Sequence, residues 1–236
     1  MLGAAFGRCQ MKERSGGADG CARRAGGCRR LSRVSELPPH FLAQVRALEP
    51  AYLASADPIR QSGFGGGPQR WREERSVILD AIEGDGDLLD IGCANGYLLE
   101  CLVAWARERG IHLTPHGLDL GERLIATARA RLPQYAANFP AGNAWDWRPL
   151  APFRYVYTLS DCVPEPLLAP YVRRLLAQVV APGGRLIVGA YGSLSRSEAA
   201  FAVAQALASY GLRVAGSARV GELPLVEIAW VDNDGP

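Results

Sequence analysis

The chain has 236 residues, a length that suits one domain with some residues to spare. No apolar run approaches the 18 or so residues of a membrane-spanning helix, and the first residues lack the sustained apolar stretch of a secretory signal, so we expect a cytoplasmic protein with no membrane partner. The formal net charge of +2 is unevenly placed, because residues 1–34 carry eight Lys/Arg against two Asp/Glu and the remaining residues carry a net −4.

Residues 1–34 are rich in Gly and Arg and poor in large apolar side chains, a composition that predicts a disordered basic extension. Its three cysteines lack the close spacing of a zinc site. A basic arm of this kind can contact nucleic acid. The alternative is an upstream extension without a function, with Met11 as a later start. The other three cysteines are scattered, as expected of reduced thiols.

Residues 35–83 are predicted to form a helical cap or lid, with one short helix after Pro39 and another near Tyr52. A glycine-rich loop follows over 57–71, and a helix is predicted over 69–82. Such loops can close over a substrate, although a plain cap packed on the sheet fits the pattern equally well. The polar and aromatic candidates for substrate contact are Tyr52, Arg60, Gln61, Phe64, Arg70 and Trp71.

From Leu88 onward, strand patterns alternate with helix patterns, which predicts an α/β sheet with right-handed crossovers over residues 84–236. The final two strands have no helix between them, so they are expected to be an antiparallel pair at the sheet edge. The predicted strands are 88–91, 112–119, 136–140, 154–160, 185–191, 212–220 and 223–231, and the predicted helices are 97–109, 122–131, 167–180 and 195–210.

The turn after the first of these strands carries two glycines, in DLLDIGCANGYLLE at residues 87–100. A turn at this place lies at the carboxyl ends of the strands, where ligands bind. Gly92 and Gly96 let the backbone approach a ligand, and the amides of the following helix can face it. The spacing is G-x-x-x-G, unlike the G-x-G-x-x-G of dinucleotide binders. Asp90, just upstream, suits a cationic ligand better than a pyrophosphate.

A second carboxylate, Asp119, ends the second predicted strand, 29 residues after Asp90. An acid at this position can accept hydrogen bonds from both hydroxyls of a ribose. The two acids together indicate a ligand with a ribose, a positive charge and no phosphate. S-adenosylmethionine fits that description.

These residues resemble the class I S-adenosylmethionine-dependent methyltransferases over about residues 70–231. LLDIGCANGYLL looks like the family's glycine-rich first motif, with Ala94 where a middle glycine is common, and Asp119 in HGLDL matches its ribose-binding acid. GNAWDW at 142–147 is similar to the segment that contacts adenine, with Asn143 where the family often has Asp. YVYTLSD resembles the fourth-strand motif, and LLAQVVAPGGRLIV resembles the helix, turn and strand that follow it.

The resemblance implies a Rossmann-like three-layer α/β sandwich whose seven-stranded, mostly parallel sheet has an antiparallel C-terminal strand. It also implies S-adenosyl-L-methionine as the cofactor. Trp145 could instead cover the edge of the core. The implied cofactor contacts are Asp90, Gly92, Cys93, Ala94, Asn95, Gly96, Asp119, Leu120, Asn143, Ala144, Trp145 and Ser160.

Direct in-line methyl transfer needs a positioned nucleophile and, where the nucleophile carries a proton, a base. Asp161 is the candidate base, with a turn-capping acid as the alternative, and Cys162 is interpreted as structural. No metal site is expected, because His112 and His116 lie four residues apart, about 13 Å in a strand.

The acceptor is left open by the sequence. A small molecule is the first expectation. The alternatives are an RNA acceptor held by the basic tail, and a cofactor-binding protein without catalysis.

Overall fold

The computed structural model describes residues 36–223 and 225–235. The expected basic extension, residues 1–34, lies outside them. The six strands are β1 (Gly86–Ile91), β2 (Leu113–Leu118), β3 (Phe153–Leu159), β4 (Val180–Tyr191), β5 (Gly216–Val220) and β6 (Val226–Asp232). The α-helices are α1 (Pro39–Leu53), α2 (Pro58–Gln61), α3 (Pro68–Arg75), α4 (Tyr97–Glu108), α5 (Glu122–Arg131), α6 (Leu168–Gln178) and α7 (Val203–Ser209). Within the described ranges, no helix has both the length and the apolar character needed to cross a membrane.

The strands form one sheet in the order β2-β1-β3-β4-β6-β5. Strands β2, β1, β3 and β4 are parallel to one another. Strand β6 runs antiparallel to β4, and β5 runs antiparallel to β6. This arrangement confirms the mostly parallel α/β sheet and the antiparallel C-terminal pair at its edge. It also brings the carboxyl ends of β1, β2 and β3 together at one edge of the sheet.

The sequence prediction of seven strands is wrong for the described residues, which contain six. Residues 136–140 do not form a strand, because a 3₁₀ helix spans Pro133–Asn138. Only a single parallel bridge between Asp119 and Ala141 remains at that edge. The reason is local: Pro133 precedes the segment and Pro140 is its last residue, and proline has no backbone N–H to donate to a ladder.

The helix predicted over 69–82 is divided in the structure into α3, which ends at Arg75, and a 3₁₀ helix over Ser76–Ala81. Two other predicted helices are shorter by at least two residues. The helix predicted over 195–210 is reduced to α7, Val203–Ser209, after a 3₁₀ turn at Leu194–Arg196. The helix predicted over 167–180 ends at Gln178, and β4 begins two residues later. The predicted Pro-Gly-Gly turn lies inside β4, where the pairing with β3 shifts register.

Helices cover both faces of the sheet, so each strand is buried on two sides. One core lies under α3, α4 and α5 and includes Leu88 of β1. The other lies under α1, α6 and α7 and includes Leu89 and Ile91 of the same strand. Successive side chains of a strand point to opposite faces of the sheet. Asp90 therefore lies on the same face as Leu88, the face covered by α4.

Candidate functional site

The turn between β1 and α4 is held in left-handed backbone conformations. The φ angle is +89° at Gly92, +46° at Ala94 and +74° at Gly96. Gly96 has a second constraint, because a Cβ there would lie 2.9 Å from the Cβ of Ala128 on α5. Ala94 carries the backbone strain that a glycine would avoid. The turn is therefore sharp, and it places backbone rather than side chains at the sheet edge.

Asp119 follows the last residue of β2 and ties this turn to the next helix. Its Oδ2 accepts a hydrogen bond from the Ala94 N–H at 2.9 Å, and its Oδ1 accepts one from the Gly121 N–H at 2.8 Å. Burial raises the pKa of Asp119, and these two amide bonds oppose that shift. A carboxylate oxygen can accept more than one bond, so each oxygen keeps capacity for a ligand hydroxyl.

A cavity of about 640 Å³ lies against this turn. Gly92, Ala94, Asp119 and Leu120 form its floor, and Asn143 and Ala144 form one side. Its volume is in the range of small-molecule sites. The sequence-predicted cofactor residues thus divide into those six, which line the cavity, and a second group that does not: Asp90, Cys93, Asn95, Gly96, Trp145 and Ser160.

Helix α1 belongs to the segment that the sequence analysis predicts to be a cap or lid, and it is one helix, Pro39–Leu53, rather than the two short helices expected there. Apart from Tyr52, it covers the cavity with residues that the sequence analysis did not name. Phe41, Val45 and Glu49 lie four residues apart and line it from one helix face. Glu49 also fixes the helix, because its Oε2 accepts a hydrogen bond of 3.1 Å from the Arg123 N–H at the start of α5. The spacing of Leu37, Phe41 and Val45 is the signal in the sequence that could have found this face.

The loop after Ala141 supplies the side of the cavity. Asn143 Oδ1 accepts a hydrogen bond of 3.0 Å from the Trp145 N–H, which closes a tight local turn. Arg174 on α6 holds the loop from behind by donating to the carbonyls of Ala144 at 2.5 Å and Trp147 at 3.0 Å. The sequence analysis did not identify Arg174, because no motif includes it. The Trp145 ring stacks near Tyr171, with the ring centroids 6.5 Å apart, rather than lining the cavity.

Asp90 is 3% exposed and lies below the turn, on the α4 face of the sheet. Burial raises the pKa of Asp90 to about 7, with a smaller contribution from the negative charge of Asp119. Its own charge in turn raises the pKa of Tyr157 and Tyr191 on the same face. Any influence of Asp90 on a bound cation is therefore electrostatic, through the turn, rather than by direct contact with the cavity.

The end of β3 places Ser160, Asp161 and Cys162 beside the turn. The Ser160 N–H donates to the Gly189 carbonyl at 2.9 Å and so serves the sheet. Asp161 is half-buried and adjoins Cys162, which lines the cavity. Burial, and then the charge of Asp161, raise the pKa of the Cys162 thiol to about 12. The thiol is therefore protonated at neutral pH and is a poor nucleophile.

Tyr52 at the end of α1 is the one sequence-predicted substrate residue that lines the cavity. Burial raises its pKa above the ordinary value, and the charges of Asp161 and Asp119 raise it further. The Tyr52 hydroxyl is therefore protonated and lies within electrostatic reach of both acids.

The structure places the other five candidates elsewhere. Phe64 and Trp71 are 4% and 3% exposed, and their rings meet edge to face with centroids 5.4 Å apart. Arg70 is paired with Glu74 and lies over the Phe64 ring. Arg60 is exposed and lies 3.8 Å from Asp57, and Gln61 bonds to Asn95.

Cys93 and Asn95 belong to the turn but point away from the cavity. The Cys93 thiol is packed against Gly117, where a Cβ would come within 2.6 Å of the sulfur. Burial holds the pKa of Cys93 well above its usual value. Asn95 is fully buried and bonds to α2. Among residues 36–223 and 225–235, no group of three His, Cys, Asp or Glu side chains could hold a metal ion.

Comparisons with known proteins identify the fold by structure rather than by sequence. No protein-family model matches the chain, and no curated protein matches it. Among solved structures, a chain of the complex between the Haloferax volcanii Trm112 methyltransferase activator and a methyltransferase superposes with a TM-score of 0.57 at 14% identity, over 81% of this chain and 98% of that one.

Two further similar structures are described as binding or depending on S-adenosylmethionine (SAM). The complex of DhpI with SAM and HEP has a TM-score of 0.55 at 17% identity and covers 80% of this chain and 94% of that one. A SAM-dependent methyltransferase from Mesorhizobium loti has a TM-score of 0.50 at 16% identity, over 70% and 98% of the two chains. This chain therefore has the Rossmann-like fold of the class I S-adenosylmethionine-dependent methyltransferases.

Proposed function

We propose that the chain is an S-adenosylmethionine-dependent methyltransferase that holds its cofactor in the cavity between the glycine turn and α1. The observation that carries the proposal is Asp119, whose two oxygens already bond to the turn and to α5 while facing the cavity. Each oxygen keeps capacity for a ribose hydroxyl. In this proposal residues 35–83 are the cap and residues 84–236 are the catalytic domain.

The charges around the cavity support a cationic cofactor over a nucleotide with phosphates. The charged residues that line the cavity are three acids, Glu49, Asp119 and Glu122, against two arginines, Arg46 and Arg123, so its lining carries a net charge of −1. Asp161 follows the strand end beside it. Asn143 and Ala144 present backbone and amide groups at the side where the resemblance puts the adenine. Asp90 adds a carboxyl whose ionisation a nearby sulfonium would favour.

When bound, the cofactor supplies an activated methyl group. The chain's own residues then bind it, exclude water and hold the acceptor in line. Asp161 is the proposed base, because it lies at the end of β3 beside Cys162 and within electrostatic reach of Tyr52. Tyr52 is the proposed acceptor contact on the cap. We propose a small-molecule acceptor, because the cavity beneath α1 has the volume of a small-molecule site, about 640 Å³, and a mainly apolar lining.

A labelling screen tests the proposal. The full chain is incubated with methyl-labelled cofactor and a cell extract, which is then split into small-molecule, RNA and protein fractions. We expect label in the small-molecule fraction. Label in RNA that disappears on deletion of residues 1–34 would favour the RNA alternative, with a steep dependence on salt. Cofactor binding with no labelled fraction would indicate a binding protein without catalysis.

The variant Asp161→Asn separates binding from chemistry in the same assay. The amide keeps the size of the side chain but cannot take a proton, so turnover should fall about 10²-fold or more while cofactor affinity changes little. Asp80→Asn is the matched control, because Asp80 is exposed and pairs with Arg109 far from the cavity. Equal turnover in Asp161→Asn and the parent chain would remove Asp161 as the base.

A further inference from the structure

Asn95 belongs to the glycine turn, yet every polar atom of its side chain is bonded away from the cavity. Its Nδ2 donates to the Pro58 carbonyl at 3.0 Å and to Gln61 Oε1 at 3.1 Å. Its Oδ1 accepts from the Tyr97 N–H at 3.1 Å and so caps α4. A carbonyl can only accept and a backbone N–H can only donate, so these partners fix the orientation of the amide.

The partners of Asn95 are part of a short segment that returns to the cavity. Gln61 Nε2 donates to the Ser55 carbonyl at 2.7 Å, which joins α2 to the end of α1. Tyr52 then packs on Gly63, where a Cβ would lie 2.5 Å from the tyrosine hydroxyl oxygen and where φ is +77°. Residues 52–63 therefore form one hydrogen-bonded unit, with Asn95 at one end and the cavity-lining Tyr52 at the other.

The other side of the turn faces the proposed cofactor. Ala94, which adjoins Asn95 in the chain, donates its N–H to Asp119 from a left-handed conformation. The bond from Ala94 to Asp119 at the cavity and the bonds from Asn95 to Pro58 and Gln61 in the cap are thus made by adjacent residues. Ile59 and Phe64 also anchor this segment, but apolar contacts are not directional. The amide bonds of Asn95 are what fixes its register against the turn.

We propose that Asn95 is a positioning residue that couples occupancy of the cavity to the placement of Tyr52. The inference rests on the proposed function, since it requires a ligand in the cavity. A ligand shifts the cap only if it contacts the closed cap better than the open one. Tyr52 supplies that differential contact, and Asn95 transmits the order of the turn to the segment that carries it.

The test uses S-adenosylhomocysteine as the probe and hydrogen exchange as the readout. In the parent chain, saturating probe should slow exchange of the amides of residues 55–64 about fivefold or more, the scale of one added hydrogen bond. Gln61→Met removes the bonds to Asn95 and Ser55 without touching the turn. It should bind the probe within about threefold of the parent, while the slowing falls below about twofold.

Three variants make the test specific. Gln69→Met is the matched control, because Gln69 is exposed on α3 and bonds only to Glu73 among the hydrogen bonds of the described residues. It should behave like the parent. Gln61→Glu keeps an acceptor for Asn95 and loses the donor to Ser55, so the slowing should be retained. Asn95→Asp keeps the α4 cap and loses both donors, so the slowing should be lost even if Gln61→Met does not fold.

The outcomes separate this inference from the proposed function. If the parent chain does not bind the probe, the proposed function fails and the inference fails with it. If the parent binds the probe but residues 55–64 exchange equally with and without it, only the inference is overturned. Equal slowing in Gln61→Met and the parent also overturns it. Loss of slowing in Gln61→Glu would assign the coupling to the Ser55 bond instead of Asn95, and would overturn it too.

Discussion

Two neighbouring parts of the chain meet the glycine turn from opposite faces of the sheet. Helix α1 lies on the face of Leu89 and Ile91 and leaves a cavity between itself and the turn. The following segment, α2 and α3 with their glycine-rich connection, lies on the face of Leu88 and packs without such a space: Ile59, Phe64 and Trp71 are each at most 4% exposed. Helix α1 thus lines the cavity, whereas the aromatic side chains of the following segment, Phe64 and Trp71, belong to the core.

The difference teaches that glycines beside aromatic residues need not mark a substrate lid. At the end of α3, aromatic rings surround a buried cation: the Arg75 guanidinium lies 3.6 Å from the ring centroid of Tyr191 on β4 and 5.0 Å from that of Trp71 on α3. Such stacked contacts favour a fixed arrangement. In α1 the side chains are simpler, but they face a space that a ligand can fill.

The largest expected effect is on the packed side. Trp71→Ala should lower the free energy of unfolding by about 3–5 kcal/mol, because it removes a buried ring that packs on Phe64 and Tyr97. Leu42→Ala on α1 should cost less than about 1.5 kcal/mol, since Leu42 is only half-buried and faces the cavity. Urea unfolding measures both. Equal losses would mean that the two parts are packed alike.

The second effect concerns the carboxyl beneath the turn. The pKa of Asp90 is raised from 3.8 to about 7, so the folded chain keeps a proton that the unfolded chain loses. The stability contributed by this group is present below about pH 4 and is lost as the pH rises to about 7. Asp90→Asn cannot ionise, so it should be more stable than the parent at pH 8, by at most about 4 kcal/mol, with the gap closing toward pH 4.

Unfolding of Asp90→Asn in urea at pH 5, 6, 7 and 8 checks this prediction. Asp80→Asn again serves as the control, because its exposed carboxylate pairs with Arg109 at 3.3 Å and should show no such trend. A stability difference that does not vary with pH would show that Asp90 ionises normally in the fold. The Asp90 carboxylate would then already be charged at neutral pH, instead of ionising in response to a bound cation as we propose.

The third effect falls on the cavity side. Asp119→Ala should weaken cofactor binding by roughly 10- to 150-fold, about 1.4–3 kcal/mol, because in the proposed complex its one carboxylate accepts from both ribose hydroxyls. Turnover at saturating cofactor should recover much of its value, since the anchor is remote from the methyl group. Calorimetric titration and steady-state kinetics measure the two quantities. Unchanged affinity would mean that the cofactor does not use the end of β2.

The smallest effect lies at the turn that both parts share. Ala94→Gly relieves a left-handed φ of +46°, worth about 1–2 kcal/mol, against an entropic cost of about 0.5–1 kcal/mol. Stability should therefore rise by no more than about 1.5 kcal/mol. Ala128→Gly, a change in the interior of α5, should lower stability by at least about 0.5 kcal/mol. Thermal melts compare the two, and equal losses would show that Ala94 is not strained.

The sequence predicted the parts of the site that are specified by local pattern. The glycine turn, Asp119 at the end of β2 and the Asn143–Ala144 wall follow from strand ends and turn residues. These lie within a few residues of one another or at adjacent strand ends, so topology alone brings them together.

The rest depends on contacts between distant segments. The spacing of Leu37, Phe41 and Val45 marks the apolar face of α1, but it does not say which face of the sheet the helix reaches, and that decides whether Phe41 or Phe64 faces the site. The bonds of Arg174 to the loop and of Asn95 to α2 join residues about 30 or more positions apart. The absence of a strand at 136–140 could have been predicted, because Pro133 and Pro140 are visible in the sequence.

The most direct test of the cofactor assignment is a calorimetric titration of the full chain with S-adenosylmethionine, S-adenosylhomocysteine and NAD. We expect both sulfur compounds to bind one to one, and NAD to give no binding heat, because the acids that line the cavity outnumber its two arginines and disfavour a pyrophosphate. Binding of NAD with no response to either sulfur compound would contradict the assignment.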